Sequence, residues 1–267
     1  KKRKNLVKLK QFATAVEHRE FAIFMESLPK VLAGNHFRSV IDAIVKATEK
    51  KHQVVVAIGA HVIKCGLSPI IIDLVKRDIV TAVAMNSAAA IHDYEISLIG
   101  ETSEDVSESL KDGSFGMARE TVDAFHMAAT TGSAREGYDG DQIGLGMALG
   151  RKITKDKNKY NEFSILAACA TLNVPVTVHA AIGTDTIHMH PNISSAHLGE
   201  SSHIDFRILC SVVADLEGGV WVNIGSAVIM PEVFLKALTV ARNLGHRVDD
   251  FTAVNMDMVQ HYRPLTN

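Results

Sequence analysis

Between Gln53 and Ala84 the chain lays down an apolar run, a helical stretch and a second apolar run, and this spacing constrains the fold more than any other feature. Gln53-Val-Val-Val-Ala-Ile58, β-branched and closed by Gly59, reads as a buried strand. Ser68-Pro69 opens a helix to about Arg77, with serine as cap and proline in the first turn. Ile79 to Ala84 gives the next strand. Two strands joined through one helix at this separation form a βαβ crossover and pair in parallel.

The alternation continues along the chain. Helical spacing is expected over Phe37–Lys51, Thr102–Leu110, Met117–Ala129, Leu145–Ile153, Tyr160–Thr171, His203–Leu216 and Pro231–Asn243. Strands are expected at Val174–Val178, Gly219–Ile224 and Phe251–Val254, and the polar Gly132–Gly140 segment reads as a loop. The fold class is therefore α/β, a Rossmann-like doubly wound, mainly parallel sheet with helices on both faces. Residues 1–33 are expected to form an N-terminal helical extension, and residues 34–267 a single α/β domain.

Charge and composition remove several functions. A net charge of −2 gives no nucleic-acid footprint, and the basic run Lys1-Lys2-Arg3-Lys4 reads as a solvated tail. No apolar stretch approaches the ~18 residues of a membrane span. Cys65, Cys169 and Cys210 are odd in number and far apart, which argues against a disulfide framework or zinc knuckle and for a reducing, cytoplasmic setting.

Ligands of doubly wound folds sit at the carboxyl ends of the strands. The residues expected there are Gly59, Ala60 and His61; Asn86, Ser87, His92, Asp93 and Glu95; His179, Gly183, Asp185, His188 and His190; Asn223, Gly225 and Ser226; Asn255 and Asp257. Small and short polar side chains recur among them, as a backbone-lined cofactor site requires. Asp185-x-x-His188-x-His190 offers a metal-assisted hydrolase as an alternative, weighed against polar loop or core histidines. Gly144-x-Gly146-x-x-x-Gly150 follows no strand and reads as close helix packing rather than a dinucleotide fingerprint. In Glu200-Ser-Ser-His-x-Asp205 the serines read as helix caps, with Asp205 in the first turn. No Gly-x-Ser-x-Gly elbow is present.

Gly66 to Val83, Leu149 to Ile153, Ser164 to Val176, Gly183-Thr184-Asp185, Val222 to Val228 and Ala253-Val254-Asn255 fall in one order and at one spacing. In these stretches the chain resembles the deoxyhypusine synthase family, as a divergent bacterial-type member. The resemblance implies an NAD site at the strand ends, a homotetramer built as a dimer of dimers, and aminoalkyl transfer or oxidation of a small amine of the polyamine type. It implies Asp185 and one surviving carboxylate, Asp93, at the amine; with His188 and Glu232, placed by position and chemistry, these are the expected catalytic residues, and Gly59, Asn86, Ser87, Gly183, Asn223, Gly225, Ser226, Asn255 and Asp257 are expected around the cofactor at the strand ends.

The chain departs from the family's pattern at several points. Thr-Ser-Asn after the first strand becomes Gly59-Ala60-His61, and an acidic pair becomes His92-Asp93. The triple-glycine turn becomes Gly225 to Glu232 and loses its Lys-His-His, and the Trp-Gly-Lys that carries the imine lysine has no match. A non-catalytic homo-oligomeric scaffold is the remaining alternative.

Overall fold

The computed structural model describes residues 5–11, 20–134, 142–259 and 262. The Lys1–Lys4 run and residues 135–140 of the expected loop lie outside them. Two strands, β1 (Asn5–Lys8) and β4 (Glu101–Glu104), pair antiparallel. The main sheet holds β2 (Val54–Ile58), β3 (Ala82–Asn86), β5 (Val176–His179), β6 (Val220–Ile224) and β7 (Thr252–Met256), all parallel, in the order β5-β3-β2-β6-β7. Within this sheet the order runs 3-2-1-4-5 in chain sequence, which is the doubly wound arrangement with its switch point between β2 and β6.

The helices are α1 (Glu20–Ser27), α2 (Leu32–Glu49), α3 (Ala60–Lys64), α4 (Ser68–Lys76), α5 (Ser87–Ile99), α6 (Val106–Ser109), α7 (Arg119–Ser133), α8 (Gly144–Asp156), α9 (Ile165–Leu172), α10 (Ser195–Ala214) and α11 (Ile229–Asn243). Side chains alternate along each strand, and the two sets feed separate cores. Val54, Val56, Ile58, Val83 and Met85 pack with residues of α5, α8 and α9. Val55, Ala57, Ala82, Ala84 and Trp221 pack with α10 and α11. The three alanines on that second face leave room for the helices, and Trp221 fills it by stacking on Phe234 with ring centroids 4.2 Å apart.

The α8 glycines serve helix packing. A Cβ at Gly146 would strike the Val176 carbonyl, and one at Gly150 the Leu166 carbonyl. Three expectations change. Ser68 is the first residue of α4 and not its cap, which is Leu67 without a side-chain hydrogen bond. Thr102–Leu110 is helical only over Val106–Ser109, because Gly100 ends α5 in the left-handed region (φ 70°) and Glu101–Glu104 then finds a partner strand at Asn5–Lys8. Helix α10 begins at Ser195, capped by Ser194, about two turns before the serines expected to cap it, Ser201 and Ser202. Ser202 instead bridges to β5, accepting from Ala180 N at 2.9 Å. Asp205 is fully buried and ties α10 to α8 and β5, accepting from Gly146 N at 2.8 Å and Val178 N at 2.7 Å.

Candidate functional site

At the carboxyl edge the strands end level. Ile58 stands beside Met85 and Ile224, Asn86 beside His179, and Asn223 beside Asn255. Five of the expected cofactor residues gather at the switch point. Gly59 N donates to Ile224 O (2.9 Å), and Asn223 Nδ2 donates to Ser226 O (2.9 Å) and Asn255 Oδ1 (2.7 Å). Gly225 turns the chain at φ 62°, and Ser226 Oγ accepts from Met230 N at 3.2 Å, the first turn of α11. The other four stand apart. Asn86 caps α5 through Ala89 N (2.9 Å), Ser87 faces Asp185, Gly183 turns at φ 88° after β5, and Asp257 accepts from Val259 N at 3.3 Å.

These contacts close the crevice rather than line it. A Cβ on Gly59 would fall inside the Gly225 carbonyl, so the two turns are packed backbone to backbone. The helix after the first strand has five residues and one preceding glycine. A dinucleotide site at a switch point needs backbone left open to the pyrophosphate, at the head of a full helix. The residues of this turn do not fit that group.

The open space lies beside it, over α5. A cavity of about 210 Å³ is lined by Ala88, Ile91, His92 and Glu95 of that helix, together with Lys64, Glu104, Phe115 and Asp185. The α5 residues fall at the three- and four-residue spacing that shares one helix face. Asp185 follows β5 and accepts a hydrogen bond from Ser87 Oγ. Burial raises its carboxyl above the usual carboxylate range, against the opposing pull of the Ser87 hydroxyl and of His188. At the far end Glu95 accepts from Thr102 Oγ1, which also meets His92 Nδ1 at 2.7 Å, and His92 Nδ1 lies 3.7 Å from Glu95 Oε2. Glu104 accepts from Gly116 N at 2.8 Å, fixing the loop that covers the pocket. Three carboxylates thus face one lysine around a small volume.

Of the expected catalytic residues, Asp185 lines this pocket and the others do not. Asp93 points the opposite way, fully buried, accepting from Ser164 Oγ (2.5 Å), Ile165 N (2.8 Å) and Leu166 N (3.2 Å) at the start of α9. Its carboxylate satisfies a helix terminus and does not line the pocket. Glu232 is in the first turn of α11, ion-paired with Lys236. His188 turns Nδ1 to the Asp185 carbonyl (3.1 Å), while its Nε2 is buried without a hydrogen-bond partner among the described residues. His190 Nδ1 accepts from Asn192 N at 3.3 Å. Among the described residues no three His, Cys, Asp or Glu side chains gather as metal ligands, so Asp185, His188 and His190 do not build the hydrolase site. No described helix is long and apolar enough to cross a membrane.

No protein-family profile matches the chain, and no curated protein does. Among solved structures, unliganded AgrE is 13% identical with a TM-score of 0.50, over 94% of this chain and 32% of that one. ArgZ, an arginine dihydrolase from cyanobacteria, is 13% identical with a TM-score of 0.45, over 85% of this chain and 30% of that one. A deoxyhypusine synthase candidate from Entamoeba histolytica is 13% identical with a TM-score of 0.49, over 73% of this chain and 71% of that one. The chain therefore spans about a third of the length of AgrE and ArgZ. At such identities the likeness to AgrE is one of fold, the α/β architecture already seen in the sheet order, and the other two add nothing to it.

Proposed function

We propose that the protein is an enzyme acting on a small linear amine, held in the pocket over α5. The observation that carries this reading is the placement of carboxylates at both ends of one cavity. Asp185 stands at Ser87, and Glu95 stands two helical turns further along α5, about 12 Å at 1.5 Å per residue, with Glu104 of β4 also lining the cavity. Between them Ala88 and Ile91 supply an apolar floor for methylene groups. Ammonium groups suit the ends and a chain of CH₂ groups suits the middle. The volume is below the roughly 300–1,000 Å³ of sites for drug-sized ligands, so the ligand is small.

Asp185 and His92 are the groups placed to take a proton from the bound ammonium, which frees the nitrogen lone pair for reaction. Aminoalkyl transfer or oxidation of the kind the family resemblance implies calls for a hydride acceptor, and NAD is the one it names. The packed Gly59–Gly225 turn offers that cofactor no cradle, so no step is derived through it.

Thermal unfolding tests the ligand class. Putrescine and spermidine at millimolar concentration are expected to raise the melting temperature, while propylamine and succinate leave it unchanged. A shift with succinate, or none with either polyamine, contradicts the reading. Prolonged incubation with spermidine, with and without NAD, tests the reaction by mass spectrometry of the amine. An altered amine that depends on Asp185 supports an enzyme, and complete recovery of unchanged spermidine overturns it.

A further inference from the structure

Helix α5 and strand β4 share a short hydrogen-bonded chain that ends in the amine pocket. Thr102 is fully buried, and its hydroxyl donates to Glu95 and lies 2.7 Å from His92 Nδ1. A threonine hydroxyl has one hydrogen, and Glu95 takes it, so Thr102 Oγ1 can only accept from His92. The ring must then carry its proton on Nδ1. Its other nitrogen, Nε2, makes no hydrogen bond among the described residues, yet it is not sealed in as Ser68 Oγ, His188 Nε2, Asp205 Oδ1 and Asn223 Oδ1 are. It opens on the cavity that the ring lines. Strand β4 is itself bent to the site. Ser103 sits in the left-handed region at φ 60°, uncommon for a residue with a side chain. In a regular strand Ser103 and Glu104 would face opposite ways, whereas both line the pocket. Strain of this kind is a sign of a segment ordered around a site.

We propose that Thr102 is a positioning residue for proton transfer in this pocket. By relaying Glu95 to His92 it fixes the Nδ1–H tautomer and leaves Nε2 as the atom that takes the proton. An imidazole without such partners favours the Nε2–H form, which would offer the pocket a donor and no base. The relay stands on geometry alone, and the identity of the proton donor rests on the amine reading proposed above. In the step an N–H bond of the ammonium at the Glu95 end breaks, its electron pair stays on the amine nitrogen, and the proton bonds to His92 Nε2. The imidazolium so formed keeps its Nδ1–H on Thr102, with Nδ1 3.7 Å from Glu95 Oε2, and the carboxylate stabilises its charge. Asp185, held by Ser87, anchors the other end of the amine.

Nitrogen NMR of the full chain with isotope-labelled histidine tests the relay, His92 being assigned by its loss in His92→Gln. At about pH 8, where an imidazole is ordinarily neutral, His92 is expected in the Nδ1–H form. Thr102→Val keeps the shape of the side chain, removes the hydroxyl, and is expected to move the ring to the Nε2–H form. Thr102→Ser restores the hydroxyl and is expected to keep Nδ1–H. An Nε2–H ring in the unaltered protein or in Thr102→Ser, or a tautomer indifferent to Thr102→Val, overturns the relay. If Thr102→Val does not fold, the other two proteins decide. Putrescine is then added at a concentration that raises the melting temperature. The Nε2 signal of His92 is expected to shift as the ammonium hydrogen-bonds to it, and binding without that shift overturns His92 as the base. Absence of binding overturns the amine reading instead, and the tautomer still decides the relay.

Discussion

Asp93 and His92 are neighbours in sequence with opposite fates. One turns into the interior to hold the start of α9, and the other lines the pocket. Burial pushes the Asp93 carboxyl from 3.8 up to about 6, outweighing its three donors. Burial pulls the His179 imidazole from 6.5 down to about 4. A raised carboxyl makes the folded chain hold a proton that the unfolded chain has released. Its contribution to stability is present below about pH 4 and is lost as the pH rises to about 6. A lowered imidazole works in reverse, with its contribution present above about pH 6.5 and lost as the pH falls to about 4. Each shift corresponds to about 3 kcal/mol, so over this window the two largely offset one another. Urea midpoints of Asp93→Asn are therefore expected to fall more steeply on acidification than those of the unaltered protein. Those of His179→Gln are expected to fall less steeply or to rise; parallel pH profiles for all three proteins would contradict this. Sequence pattern showed that His92 and Asp93 follow a strand end. It did not show which faces the cavity, because both faces of α5 are buried and its apolar residues mark no single side.

The βαβ units were legible in the sequence because β-branched runs such as Val54–Ile58 and a proline in the first turn of α4 act locally, although Ser68 begins that helix and does not cap it. The strand at Glu101–Glu104 was not, since its partner lies nearly a hundred residues away and its own composition is that of a polar helix. The same limit applied at the switch point. The small residues of Gly59 and Gly225 were visible, but not that the two turns pack on each other instead of on a ligand. Substitution by alanine separates a glycine needed for such an approach from one that is not. Gly59→Ala is expected to destabilise by about 1–3 kcal/mol or more, since its Cβ has only the Gly225 carbonyl to meet. Gly199→Ala, within α10 and with nothing near its Cβ, is expected to stabilise by about 0.5–1 kcal/mol. Denaturant unfolding of the two variants checks this, and equal effects would contradict it.

Across the whole molecule, the sheet places two neighbouring regions at its carboxyl edge. One is a packed switch point between β2 and β6, and the other is the charged pocket between α5, β4 and the segment after β5. The strand order follows from the crossovers that the sequence displays. The displacement of the pocket from the switch point depends on how Gly59 and Gly225 meet, which no local pattern encodes. Under the proposed function the ligand is recognised by carboxylates in that pocket, with Asp185 at one end. Titration calorimetry of the full chain with spermidine at neutral pH and low salt tests this most directly. Saturable binding is predicted, weakened at least about tenfold by Asp185→Asn and unchanged by Glu232→Gln, whose site on α11 is outside the pocket. Absence of saturable heat up to millimolar spermidine, or an affinity indifferent to Asp185→Asn, would contradict it.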